Sequence, residues 1–85
     1  MIVTFMEEGK KLDIMVKSEQ KIEAVFKVLL ENDIFSGSVN KQYRNQEAQL
    51  CVYSMRRSAY VNPMLTFCQG EIYNGDILDI RFVGN

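Results

Sequence analysis

Tyr53, Arg56, Arg57 and Tyr60 stand in one short stretch and carry the most concentrated binding chemistry of this chain. Arg and Tyr dominate protein-binding hot spots because each combines a large contact area with directed hydrogen bonds. The stretch therefore reads as a candidate protein-binding surface, with Arg56 and Arg57 the first residues to mutate. The same composition also suits an ordinary surface loop with solvated cations and half-buried tyrosines. A second candidate runs from Phe35 to Asn45 and carries Phe35, Lys41, Tyr43 and Arg44. It is long for a connection in a compact domain, and it reads either as a docking loop or as a polar surface excursion.

Catalysis has little to build on. The chain contains no histidine, which removes Ser-His and Cys-His activation of a nucleophile. Asp76 and Asp79 lie on or next to one predicted strand, where alternation turns them to opposite faces and argues against a paired acid and base. The remaining carboxylates are scattered and form no cluster of oxygen ligands for a cation. Cys51 and Cys68 are far apart and lack Cys-x-x-Cys spacing, which argues against a metal knuckle or a redox motif. Both are expected as free thiols serving as small buried apolar residues. The alternative is a reactive thiol at Cys68, which sits in a turn-rich region. The expectation is a protein that is not an enzyme and holds no metal or cofactor.

The 85 residues correspond to one domain spanning the whole chain, with no cleft between domains. A domain this small buries only about 60% of its unfolded surface, so nearly every large apolar side chain is needed for the core. Ten Lys and Arg against eleven Asp and Glu leave a formal net charge of −1 without a long run of either sign. That balance gives little support to binding nucleic acid, even with Arg and Tyr interleaved, or to binding anionic membranes. No apolar stretch approaches the roughly 20 residues of a membrane span, and the N-terminus enters a strand at once. A cytoplasmic protein without membrane insertion is the expectation.

The elements that must position these residues follow from periodicity. Met1 to Met6 is a β-prone run. Lys11 to Lys17 alternates, with Leu12, Ile14 and Val16 on one face. Glu7-Glu8-Gly9-Lys10 between them predicts an antiparallel hairpin with Val3 and Phe5 facing the same core. Ser18 suits an N-cap and Glu19 the positive end of a helix, and Ile22, Val25, Phe26, Leu29 and Leu30 form one apolar stripe. Glu23 and Lys27 are four apart on the opposite side, and Asn32-Asp33 ends the helix.

From Ile34 to Gln49 no period is visible, and the segment reads as turn and surface loop. Leu50 to Met55 regains strand character. Tyr60-Val61 fits a short edge strand, broken by Asn62-Pro63 because proline cannot donate to a ladder. Leu65-Thr66-Phe67 then reads as a turn capping the core, followed by Ile72 as a buried anchor. Asn74-Gly75 marks a reversal, and Ile77 to Phe82 alternates with Leu78, Ile80 and Phe82 inward and Asp79 and Arg81 outward. The fold class is α+β, a mixed sheet of about five strands in the order β-β-α-β-β-β covered by one helix.

That order resembles the ubiquitin-like β-grasp over almost the whole chain. Gly9 in the hairpin turn, Ile14 and Val16 on the second strand, and Ile22, Val25 and Leu29 on the helix match the ubiquitin opening. Leu65-Thr66, Ile72, Leu78 and Ile80 match its closing turn and last strand. Within that superfamily, Ser54, Arg56, Val61-Asn62-Pro63-Met64-Leu65-Thr66 and Ile72-Tyr73-Asn74-Gly75-Asp76-Ile77-Leu78 most resemble the small bacterial YukD/EsaB family.

The resemblance implies a cytosolic, non-catalytic adaptor or regulator whose protein partner is a component of a type VII (ESX-like) secretion apparatus. The alternative is a general β-grasp interaction module or a homo-oligomer unrelated to secretion. Ubiquitin and the sulfur carriers of this fold act through a C-terminal Gly-Gly, whereas this sequence reads Phe82-Val83-Gly84-Asn85, so conjugation and sulfur transfer are not expected. Ubiquitin also binds through an apolar patch on its sheet. Asp79 and Arg81 occupy the matching outward positions here, so that mode of recognition is not carried over.

Overall fold

The computed structural model describes residues 1–7, 9–32 and 48–84. Strands β1 (Ile2–Glu7) and β2 (Lys10–Met15) form the expected antiparallel hairpin. Its register sets Val3 opposite Ile14 and Phe5 opposite Leu12. Val3 and Phe5 are fully buried, while Leu12 and Ile14 pack half-buried against the core. Gly9 turns the chain at φ +85°, a conformation an L side chain adopts only under strain.

Helix α1 (Ile22–Glu31) buries Ile22, Val25, Phe26, Leu29 and Leu30, all five residues of the expected stripe. On its other side Lys27 meets Glu23 at 3.0 Å. Asn32 caps the C-terminus and donates from Nδ2 to the Val28 carbonyl at 2.7 Å; Asp33 lies outside the described residues.

The start of α1 departs from expectation. Lys21, not Ser18, is the N-cap residue, and it makes no side-chain capping bond. The amides of Ile22 and Glu23 donate instead to the carbonyls of Leu65 (3.1 Å) and Pro63 (2.9 Å). A helix start needs partners for its first N–H groups, and a distant segment supplies them here, so a capping side chain is redundant. Ser18 sits before the helix, where its hydroxyl meets Glu19 Oε2 at 3.1 Å and its carbonyl accepts from the Cys68 amide at 2.9 Å. Glu23 rather than Glu19 is the acidic residue of the first turn.

Strands β3 (Ala48–Ser54), β4 (Ala59–Val61) and β5 (Ile77–Gly84) complete a five-stranded sheet of order β2-β1-β5-β3-β4. Only the central β1–β5 pairing is parallel. With helix α1 packed on it, this is the mixed α+β sheet read from the element order. The short strand at Tyr60-Val61 is at the sheet edge, as expected. The loop read from Ile34 to Gln49, including the docking candidate Phe35 to Asn45, lies outside the described residues except for Ala48 and Gln49, which are strand rather than loop because they pair with Gly84 and Val83 of β5. The side chain of Phe82 also falls outside the described residues.

The closing segment caps the core as its sequence suggests. Phe67 is fully buried and Ile72 nearly so, joined by a hydrogen bond from the Ile72 amide to the Phe67 carbonyl at 2.9 Å. Asn74-Gly75 reverses the chain with Gly75 at φ +89° and clips onto β1. The Ile2 amide donates to Asn74 Oδ1 at 2.7 Å, and the Gly75 amide donates to the Ile2 carbonyl at 2.7 Å. Gly70 is required for space, since a Cβ there would lie 2.8 Å from Val61 Cγ1.

Neither cysteine is the buried core residue expected. Cys51 is half-buried and Cys68 is exposed, both as free thiols. Cys68 follows the buried Phe67 in the turn that docks on Ser18, so its backbone is held while its side chain faces water.

Candidate protein-binding surface

The four residues singled out in sequence separate into two groups with different neighbours. Tyr53 on β3 and Tyr60 on β4 are cross-strand partners on the sheet face opposite α1. Alternation puts Val52 and Val61 into the core, which turns the two tyrosines outward. Their rings meet edge to face, with centroids 5.1 Å apart and planes at 75°. Tyr60 is 62% exposed and Tyr53 is partly covered.

A fifth strand residue joins them. The Arg81 guanidinium lies over the Tyr53 ring at 5.2 Å from its centroid and donates from Nη1 to the Tyr60 hydroxyl at 3.3 Å. It also pairs with Asp79 at 2.9 Å. The Asp79 hydrogen bond first, then that to Tyr60, holds the Arg81 pKa above its ordinary value. Asp79 and Arg81 are thus more than a solvated charged face: Arg81 bridges the tyrosine pair into one continuous surface. The β3–β5 register, with Tyr53 opposite Asp79 and Cys51 opposite Arg81, makes this contact. Sequence reading missed it because the strand order is not written in any local pattern.

Arg56 and Arg57 turn away from that face. They lie in the connection between β3 and β4 and grip the segment before β5. Arg56 donates from Nη2 to the Glu71 carbonyl at 2.6 Å and stacks over the Tyr73 ring at 4.6 Å. Arg57 donates from Nη1 to the Gly70 carbonyl at 2.8 Å and meets Glu71 Oε2 at 3.2 Å. Glu71 has φ +57°, a left-handed conformation uncommon for a residue with a side chain, and both arginines bind at this position.

Beneath them Asp76 is buried. Its carboxylate accepts from Ser54 Oγ at 2.8 Å and the Arg56 amide at 3.3 Å, with Arg56 Nε at 3.8 Å. Asp76 precedes β5 and is buried against Ser54, whereas Asp79 on β5 pairs with Arg81, so the two carboxylates do not form a pair. Among the described residues no group of His, Cys, Asp and Glu is arranged to hold a metal ion, and no helix is long and apolar enough to cross a membrane.

The arrangement is that of a ubiquitin-like fold, a β-grasp sheet holding helix α1. Solved structures of other proteins share it. The EccD5 ubiquitin-like domain from Mycobacterium xenopi superposes with a TM-score of 0.68 at 17% identity, covering 99% of this chain and 94% of that one. A chain of the MycP5-free ESX-5 inner membrane complex superposes with a TM-score of 0.65 at 18% identity over 99% of this chain. This chain spans only 21% of that larger one. No family model and no curated protein matches the sequence.

Proposed function

We propose that the chain is a protein-binding, non-catalytic ubiquitin-like module of a type VII secretion apparatus, working on its cytoplasmic side. The observation that carries the reading is the whole-chain likeness to the EccD5 ubiquitin-like domain. The second likeness, to a chain of an ESX-5 inner membrane complex, supports the same setting, in which such a domain is part of an assembly. The closing signature from Val61 to Leu78, which resembles the YukD/EsaB family, supports a separate accessory of that apparatus as the finer reading.

The surface best suited to the partner is the outer sheet face of Tyr53, Tyr60 and Arg81. It presents two aromatic rings and a guanidinium on rigid strands, the composition of a binding hot spot. Arg56 and Arg57 lie off this face and hold the segment before β5 through Gly70, Glu71 and Asp76, which is a structural part. The module acts by docking, and neither conjugation nor sulfur transfer is part of this reading.

The test is co-purification of the secretion ATPase with the tagged chain from its source organism, comparing wild type with Tyr60→Ala and Arg81→Ala. Specific recovery of the ATPase, reduced by these substitutions, is the expected result. Recovery unaffected by either substitution would move the surface elsewhere. Failure to recover any secretion component, together with a gene neighbourhood lacking them, would favour the general interaction module.

A further inference from the structure

Asn74-Gly75 is a reactive pair as well as a turn. The backbone nitrogen that follows an asparagine can attack its side-chain Cγ, and glycine presents that nitrogen with no side chain in the way. No other asparagine in the sequence precedes glycine. Asn62 precedes Pro63, whose nitrogen has no proton to lose.

Both groups that must meet are held by one residue of β1. The Ile2 amide donates to Asn74 Oδ1 at 2.7 Å, and the Gly75 amide donates to the Ile2 carbonyl at 2.7 Å. Attack requires hydroxide to take the Gly75 proton and Cγ to swing toward the nitrogen. In the docked turn that proton faces the Ile2 carbonyl, and the side-chain amide is fixed by the Ile2 N–H. The Asp76 amide donates to the Tyr73 carbonyl at 3.1 Å and the Thr4 amide to the Asp76 carbonyl at 2.9 Å, which pins the turn from both sides. Asn74 and Gly75 are exposed, so hydrogen bonding rather than burial restrains the pair.

Ile2 can release the turn without unfolding the sheet. Met1 and Val16 exchange both of their backbone bonds, at 2.8 and 3.0 Å. Facing alternates along an antiparallel strand, so the N–H and C=O of Ile2 point away from β2 and toward the turn. The parallel β1–β5 register begins only at Thr4 and Ile77. Moving the turn off Ile2 therefore breaks two bonds and leaves both ladders in place.

We propose that Asn74-Gly75 is a latent isoaspartate site, silent while Ile2 is docked and converted when the turn leaves β1. In the open turn hydroxide takes the Gly75 proton, and the nitrogen attacks Cγ. The bond from Cγ to the side-chain nitrogen breaks, ammonia leaves with a proton from water, hydroxide is regenerated and a succinimide ring closes. Water then opens the ring at the main-chain carbonyl carbon to give isoaspartate, or at Cγ to give aspartate. Isoaspartate puts an extra methylene in the backbone and moves the Gly75 nitrogen off the Ile2 carbonyl, so the clip does not reform and the opening is recorded. The site depends on neither the tyrosine face nor the secretion reading.

The test incubates the domain and a peptide spanning Glu71 to Ile77 in the same mildly alkaline buffer. Peptide mapping that separates aspartate from isoaspartate follows the exchange of NH2 for OH at Asn74. Reclosing outpaces the chemistry, so the rate follows the open population, and the two bonds lost on opening should hold it at least about tenfold below the peptide. Ile2→Pro removes the N–H bound to Asn74 and none that β2 uses, and should raise the rate at least about fivefold with the fold retained by circular dichroism. Ile2→Ala keeps both backbone bonds, and Leu50→Val weakens the core at the Phe82 end of β5; both should stay within about twofold of wild type. Hydrogen exchange of the wild-type Gly75 amide needs no variant and should be slowed, relative to the peptide, by about the same factor as the chemistry. Wild type reacting at the peptide rate, an unprotected Gly75 amide, Ile2→Pro no faster than Ile2→Ala, or Leu50→Val matching Ile2→Pro would each overturn the proposal.

Discussion

Ser54 Oγ donates to Asp76 Oδ2 at 2.8 Å, and both side chains are out of water. This bond ties the end of β3 to the residue that enters β5, and Asp76 also accepts from the Arg56 amide at 3.3 Å. A buried carboxylate keeps its place only if its oxygens are satisfied, so the pair stabilises the junction beneath the arginines. Asp76→Ala is expected to cost about 2–3 kcal/mol and Ser54→Ala about 1–2 kcal/mol. The double variant should lose less than the sum of the two, because the residues share one bond. Urea denaturation of the four proteins measures this, and strictly additive losses would show that the bond contributes nothing.

Arg57 and Tyr60 should respond in opposite ways. Arg57→Ala removes a bond to the Gly70 carbonyl and the contact with Glu71, both partly exposed, and should cost about 1 kcal/mol of stability with partner affinity nearly unchanged. Tyr60→Ala removes an exposed ring and should change stability by less than about 1 kcal/mol while weakening partner binding at least about tenfold. Thermal melts paired with binding titrations separate the two effects. Loss of binding in a fully folded Arg57→Ala protein would return the arginines to the docking surface.

Gly70→Ala tests the close approach of the closing turn to β4. The added methyl would meet Val61 Cγ1 at 2.8 Å and the Thr66 carbonyl at 3.4 Å. Val61 is buried and cannot swing into solvent, so a loss of about 1–3 kcal/mol is expected. Val61→Ala should recover part of that loss in the double variant, and chemical denaturation reads the coupling. No recovery would point to the carbonyl rather than to Val61.

Glu19 supplies a pH prediction. Its own main-chain N–H first, then the Ser18 hydroxyl, hold its carboxyl below the ordinary carboxylate range, with Lys17 adding to the same direction. A depressed folded-state pKa means that the stabilisation is present above the unfolded value and is lost as pH falls through the folded one. The effect is therefore intact at neutral pH and fades only in acid. Carbon-detected NMR titration of the side chain should show the low midpoint, and Ser18→Ala should raise it. A midpoint unmoved by that substitution would assign the effect to the backbone bond and Lys17.

Local patterns were enough to place most elements. The alternation of Leu12, Ile14 and Val16, the stripe from Ile22 to Leu30, and the strand of Leu78 and Ile80 each follow from burying one face of a strand or helix. Asn74-Gly75 marked its turn through the freedom of Gly75 at positive φ. These are short-range constraints, so the residues themselves carry them. The Ser18 cap failed because its role went to the carbonyls of Pro63 and Leu65, which only the folded chain brings to the start of α1.

The candidate surface divided along the same line. Residue type identified Tyr53, Arg56, Arg57 and Tyr60 as able to bind, and strand alternation set the two tyrosines on one face. Which groups a guanidinium reaches, and on which face, is a matter of tertiary distance. The structure spends Arg56 and Arg57 on Gly70, Glu71 and Asp76, and brings Arg81 across from β5 to the tyrosines. By itself the sequence determined the elements, the buried faces and the ubiquitin-like order. Strand order and cross-strand register, fixed by packing between residues distant in the chain, decided which charged side chains hold the fold and which face outward.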